Sequence, residues 1–242
     1  MTAVVPIFTY HQIDEAPARG APYRSLYVSP QAFARQMSLL ATLGYQGLGM
    51  AALMPYLRGE KTGKVVGITF DDGYLNTLTN ALPVLQRFGF SATCYFVSHR
   101  LGRTNDWDAG IGVAQTLLMD ATQMRQWAAA GQEVGAHSRN HQHLTRLPLE
   151  EARAEIAFAK TELEHLTGQA VRHFCYPFGS YAPEHVAMVR EAGYDSATTT
   201  ARGRARAADD ALQLPRVPVA RSTTRVALWL KLATAYEDRR RG

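Results

Sequence analysis

Short runs of β-branched, aromatic and aliphatic residues alternate along the chain with stretches whose apolar positions recur every three or four residues. Residues 4–10, 64–70, 92–97, 133–136, 173–176, 195–199 and 212–219 read as strands. Helical spacing is clearest where Phe33, Met37, Leu40 and Leu43 share one face. There Ser29 stands as N-cap before Pro30 at the first helical position, and Gly44 supplies the stop. Further helices are expected up to Phe88 with Gly89 ending it, over 121–130 with Gly131 after it, over 150–166 with Gly168 after it, and over 183–192. In the 150–166 helix, the longest, Ile156, Leu163 and Leu166 are among the apolar positions. Ser222 or Thr223 is expected to cap a final amphipathic helix.

Strand followed by helix, repeated, predicts a parallel sheet with helical crossovers. Roughly seven or eight such units point to a closed barrel and a single domain over residues 1–242. Neither GxGxxG nor a Walker motif is present, and no internal repeat is evident.

Composition changes this picture little. The 242 residues are 46% hydrophobic and 19% charged, as expected of a soluble protein that buries a large core. The net charge of +5 draws on two arginine clusters, at 202–206 and 239–241. They read as a solvated loop and a basic tail, or alternatively as a contact for an anionic polymer or membrane surface. No aromatic interleaving or motif supports nucleic-acid binding. Cys94 and Cys175 lack any paired spacing and are expected to be buried free thiols. No leader and no 18-residue apolar run is visible, so the expected location is cytoplasmic, or extracytoplasmic if a leader was removed. The oligomeric state is not legible.

The chemistry sits at strand ends. Thr69-Phe70-Asp71-Asp72-Gly73 closes one strand, and His137-Ser138-Arg139-Asn140-His141 follows another roughly 65 residues on. His11 and the Pro177-Phe178-Gly179 turn also follow strands. In a βα barrel all strand carboxyl ends face one side, where active sites are built. Two imidazoles and one carboxylate suit one divalent first-row metal, zinc first, with cobalt, nickel or iron(II) as alternatives. Only one of the two aspartates is needed for the metal. The other is free to take a proton from an activated water. An aspartate-based phosphotransferase is disfavoured, because it would want Asp-x-Asp and adjacent aspartates diverge on an extended chain.

These two fragments resemble the first two motifs of the polysaccharide deacetylases of the NodB-homology group, carbohydrate esterase family 4. The resemblance implies a distorted (β/α)7 barrel and metal-dependent deacetylation of an N-acetylated glycan. It also implies that Asp71 is the base and that Asp72, His137 and His141 hold the metal. The third motif of that family, Arg-x-Pro-Tyr-Gly, is altered here to Cys175-Tyr176-Pro177-Phe178-Gly179. Phe178 can still offer its backbone N–H to an oxyanion, a role that needs no particular side chain. The missing arginine points to Arg216 on a later strand as a substitute. The family's C-terminal Leu-x-His is absent, and His185 is the last histidine. His11, after Thr9-Tyr10, takes its place, which resembles the poly-N-acetylglucosamine deacetylase subgroup and makes His11 the expected general acid.

The long segment after Val97 carries Asn105-Asp106-Trp107-Asp108 and reads as a binding loop. Trp107 is expected to stack on a sugar, Asp106 or Asp108 to bond its hydroxyls, and Tyr74 and Tyr176 to line the pocket. Two other classes stay open: a metal-dependent amidase on a non-sugar C–N bond, and a carbohydrate-binding pseudoenzyme.

Overall fold

The computed structural model describes residues 4–240. In chain order its strands and helices are β1 (Val4–Val5), β2 (Ile7–Tyr10), α1 (Pro30–Thr42), β3 (Gln46–Leu48), α2 (Met50–Leu57), β4 (Val65–Phe70) and α3 (Leu82–Phe88). They continue with β5 (Thr93–Phe96), α4 (Ala121–Ala129), β6 (Glu133–Ala136), α5 (Leu149–Thr167), β7 (His173–Cys175) and α6 (Pro183–Glu191). The last are β8 (Ser196–Arg202), β9 (Ala205–Arg206), β10 (Leu214–Pro218) and α7 (Arg225–Ala233). None of the described helices is long and apolar enough to cross a membrane.

Seven parallel strands, in the order β2-β10-β8-β7-β6-β5-β4, form a ring that closes where β2 pairs with β4, from Ile7 opposite Gly67 to Tyr10 opposite Phe70. This is a distorted (β/α)7 barrel in one α/β domain. The distortion is concentrated at β4. Its first half pairs with β3, Gln46 opposite Val65, and its last residues pair with β5, Thr69 opposite Thr93. The strand expected over 4–10 is split at Pro6, which has no N–H for a ladder. β1 turns away to pair antiparallel with β9.

Local signals explain most boundaries. Ser29 Oγ accepts from Ala32 N at 3.3 Å, as its N-cap position requires. α4 starts with a capping box, Asp120 and Gln123 each bonding the other's backbone N–H at 2.8 Å. The cap of α7 is Thr224, not Ser222 or Thr223: Thr224 Oγ1 accepts from Ala227 N at 3.2 Å, while Thr223 Oγ1 holds Ala220 N. β3 and α2 had no expected counterpart. The segment 46–57 is too uniformly apolar to show a period, and Pro55 sits in the last turn of its helix.

Strand alternation divides the core in two. Phe8, Tyr10, Phe70, Phe96 and Phe174 join the apolar faces of the surrounding helices. Ile7, Val65, Tyr95, Cys175 and Leu214 instead cluster with Met50, Leu53 and Leu57 of α2, which plugs the amino-terminal end of the barrel. Gly67 permits that plug: a Cβ there would lie 2.7 Å from Leu53. Toward the carboxyl ends of the strands the same inward positions turn polar, at Thr9, Thr69, Asp71 and Arg216, all of them buried except half-buried Thr9.

Candidate active site

Asp71 continues the inward column of β4 two residues beyond Thr69. It meets Arg216, which points inward from β10. Nη1 and Nη2 of Arg216 donate to the two carboxylate oxygens at 2.6 and 2.7 Å. The remaining donors also have acceptors: Thr199 O for Nε, Thr69 Oγ1 for Nη1 and Cys175 Sγ, at 3.2 Å, for Nη2. All five guanidinium N–H groups are therefore engaged, which fixes its plane against Asp71. The thiol of Cys175 lies beneath the guanidinium, at the position where the family motif carries its arginine. Arg216 reaches the Asp71 carboxylate from another strand. Burial works to raise the Asp71 pKa, but the charge and hydrogen bonds of Arg216, with His11 and His137 nearby, hold it below the usual carboxylate range. Asp71 is ionised at neutral pH.

The next residue points elsewhere because the chain turns. Asp72 has φ 74° and Gly73 φ 77°, so the Asp72 side chain swings away from the β4 column. Its Oδ1 lies 3.4 Å from His137 Nε2 and 3.3 Å from His141 Nε2. Burial opposes its charge, but its bonds to His137 and His141 hold it well below the normal range. Burial foremost pushes His141 down, toward the neutral imidazole a metal needs. His137 Nδ1 donates to Cys175 O at 2.8 Å, which turns Nε2 toward Asp72. Burial opposes its charge, but Cys175 and the bond to Asp72 push its pKa well above the ordinary histidine value, so an ion would have to displace that proton.

Asp72, His137 and His141 place three ligand atoms within 4.8 Å of one another, all buried. One carboxylate and two Nε2 atoms converge on one point, a donor set that suits a divalent first-row ion with positions left open. Ligand atoms of Asp71, His137 and Cys175 also lie within 4.8 Å of one another, but the first and last of these are occupied by Arg216.

The loop bearing the histidines is braced by a residue the sequence reading missed. Glu155 of α5 accepts from Arg139 N at 3.1 Å and Asn140 N at 2.7 Å, and from Asn140 Nδ2 at 2.6 Å. The available signal was a glutamate inside the buried stripe Ala152, Ile156, Ala159, Leu163. Ser138 Oγ accepts from His141 N at 3.0 Å.

A cavity of about 350 Å³ opens over these groups. Its lining includes His11, Asp71, Asp72, Tyr74, Trp107, His137, His141, Tyr176 and Phe178. Tyr23, Leu26, Tyr27 and Val113, unread in the sequence, complete its apolar wall. His11 Nε2 stands 3.8 Å from Asp71 Oδ2 and is a quarter exposed. Phe178 has φ 56°, and Gly179 beside it packs so close to Thr200 that a Cβ would overlap its hydroxyl. Among the described residues, the non-glycine positions with positive φ are Tyr23, Asp72, Ser138, His141 and Phe178. All but Ser138 line the cavity, so the backbone strain is concentrated at this site.

Of the expected substrate contacts, Tyr74, Trp107 and Tyr176 line the cavity and Asp106 does not. Asp106 is exposed and pairs with Arg100 at 3.4 Å, while Asp108 lines the cavity instead. Trp107 is present, but one face already stacks on His141, with ring centroids 4.4 Å apart. The Tyr176 hydroxyl is spent on Leu212 O at 3.0 Å, leaving only its ring to the cavity. His143 stacks on Phe178 at 3.8 Å and makes no contact with the ligand set. His173 and His185 are buried and structural, bonded to Ser196 and to Leu144 O.

A buried carboxylate beside a convergent His-His-Asp set at the strand ends suits hydrolysis, and the family to which the chain belongs acts on amide bonds of carbohydrates. The chain belongs to the polysaccharide deacetylase family, whose profile matches residues 58–197. That match spans Asp71, Asp72, His137, His141 and Phe178, and leaves His11 and Arg216 outside it. The Bacillus subtilis (strain 168) protein YxkH, assigned to the polysaccharide deacetylases, is 29% identical over 219 residues, 90% of this chain and 72% of that protein. The poly-β-1,6-N-acetyl-D-glucosamine N-deacetylase of Escherichia coli K12 is 33% identical over 86 residues, 35% of this chain and 12% of that protein. The deacetylase PplD of Streptococcus pyogenes, solved with acetate, superposes with a TM-score of 0.83 at 24% identity. The superposition covers 96% of this chain and 99% of PplD, a likeness of fold.

Proposed function

We propose that this protein is a metal-dependent N-deacetylase of an amino-sugar glycan, with Asp71 as general base and His11 as general acid. The observation that carries the reading is the division of labour between adjacent aspartates. Asp71 is locked on Arg216, and Asp72 is turned onto His137 and His141. A binding module has no need for the first of these, which argues against a pseudoenzyme.

Asp72, His137 and His141 would hold the ion. Zinc fits the nitrogen-rich set best, and cobalt, nickel or iron(II) would also be accepted. Bound there, the ion supplies Lewis acidity to an acetyl carbonyl and acidity to a water. Asp71 receives the water's proton on a carboxylate lone pair that the two Arg216 bonds leave free. The Phe178 N–H, presented by the left-handed turn, bonds the developing oxyanion. His11, in the cavity lining 3.8 Å from Asp71, hands a proton to the departing amine as acetate leaves. Trp107, Tyr74 and the Tyr176 ring shape the pocket around the sugar, and Asp108 offers the carboxylate for its hydroxyls. The E. coli relative directs the choice of glycan toward N-acetylglucosamine polymers.

The test is acetate release from N-acetylglucosamine oligomers set beside peptidoglycan fragments and non-sugar acetamides. Release from the sugars alone is expected. Turnover of the acetamides with the sugars untouched would mean an amidase of another class.

A further inference from the structure

The arginines of the 202–206 cluster are already paired. Arg202 binds Glu237 at 2.8 Å, and Arg204 and Arg206 bind Asp238 at 2.7 and 3.6 Å, a clasp that ties the C-terminal segment to β8 and β9. Arg239 and Arg240 lie beyond it, with Arg240 over the Tyr236 ring, and Arg241 is outside the described residues. Among the described residues, three arginines with no carboxylate partner are scattered in sequence and gathered by the fold. Arg35 of α1 and Arg221 and Arg225 at the start of α7 line one surface groove of about 270 Å³ that contains no acidic residue.

Beside the groove lies an apolar face. Val226 is 68% exposed and Trp229 45%, among the largest apolar exposures on the molecule. Trp229 is three residues from Val226 and four from Arg225, so the three share one side of α7. The groove also adjoins the catalytic cavity. Residues 219–224 follow the carboxyl end of β10, and Arg221 N donates to Ser25 O at 2.9 Å. Ser25 belongs to the segment whose Tyr23, Leu26 and Tyr27 wall the cavity.

We propose that the catalytic end of the barrel docks on an anionic phospholipid surface, with Arg35, Arg221 and Arg225 on lipid phosphates and Val226 and Trp229 in the interface. Guanidinium groups are weakly hydrated and bond phosphate in pairs, and indole rings favour the headgroup boundary. Charge complementarity selects this occupant: the groove carries three arginines among neutral residues and no acid, and the apolar residues beside it would be wasted on a soluble anion. Docked this way, the cavity mouth faces the bilayer, and the acetylated sugar is one carried on or close to it. The inference concerns delivery of substrate and stands whichever glycan is deacetylated.

Co-sedimentation with phosphatidylglycerol–phosphatidylcholine vesicles tests it, with pure phosphatidylcholine vesicles as control. Binding to the anionic vesicles only, weakened by salt, is expected. Each lost arginine should cost about fivefold in partitioning, so Arg221→Ser with Arg225→Ser should bind about 25-fold more weakly. Trp229→Ser should also bind more weakly, and both variants should release acetate from soluble oligosaccharide at the wild-type rate. Failure of the wild type to sediment at low salt would overturn the proposal, as would undiminished binding by the arginine variant. A groove that holds soluble polyanionic glycan while ignoring vesicles would overturn it equally.

Discussion

At the scale of single residues, the Asp71–Arg216 pair decides what the site can do. A buried carboxylate left alone would be protonated and useless as a base. A guanidinium on both oxygens keeps it charged and fixes its plane. Asp71→Asn should lower turnover by about 10²–10⁴-fold while metal content by elemental analysis stays at the wild-type level, since Asp72, His137 and His141 remain. Arg216→Met should destabilise the fold by about 3–5 kcal/mol at neutral pH, because it leaves a buried charge unpaired, a loss that denaturant titration reads directly. The pH dependence should also change sign. Asp71 has a depressed pKa in the wild type, so its stabilisation is present above the unfolded value and lost as pH falls through the folded one. Without Arg216 burial raises that pKa, the variant gains relative stability as pH falls, and the acidic limb of kcat/KM moves to higher pH. Thermal unfolding and rate profiles across the acid range would show both. Asp71, Asp72, His137 and His141 were legible because their motifs are local. Arg216 was legible only as a gap in the third motif, since the contact it makes spans 145 residues. Asp106 was misread because spacing alone cannot say which of two aspartates flanking Trp107 faces a cavity.

At the scale of elements, strand ends aim the groups and neighbouring elements hold them. Glu155 is one brace of the loop after β6: its carboxylate takes three N–H donors from Arg139 and Asn140. Glu155→Gln keeps the volume and loses the charge. It should weaken metal binding about 10–100-fold with little change in metal-saturated turnover, a split that metal titration followed by assay would resolve. The helices with caps and terminal glycines, α1, α3, α4 and α5, were readable because those signals are local. β3 and α2 were not, because a segment buried as a plug shows no polar face from which to read a period. The split at Pro6 did have a local signal, a residue with no N–H for the ladder, which the apolar run around it masked.

At the scale of the whole molecule, closure of the ring brings residues from both ends of the chain onto one carboxylate. His11 comes from the first strand of the ring and Arg216 from the last, and both stand against Asp71 from the strand that closes it. The family profile ends before Arg216 and begins after His11, so the barrel, more than the motifs, assembles this version of the site. The barrel class was legible from the strand–helix alternation. Its distortion at β4, where three strands share one, was not, because register is a property of pairs. The most direct measurement of the central claim is acetate release from an N-acetylglucosamine oligomer by protein stripped of metal with a chelator and then titrated with zinc. Activity should vanish on stripping and return with one equivalent of zinc in the wild type, and fail to return in His137→Ala. Full activity in protein shown by elemental analysis to hold no metal would contradict the account.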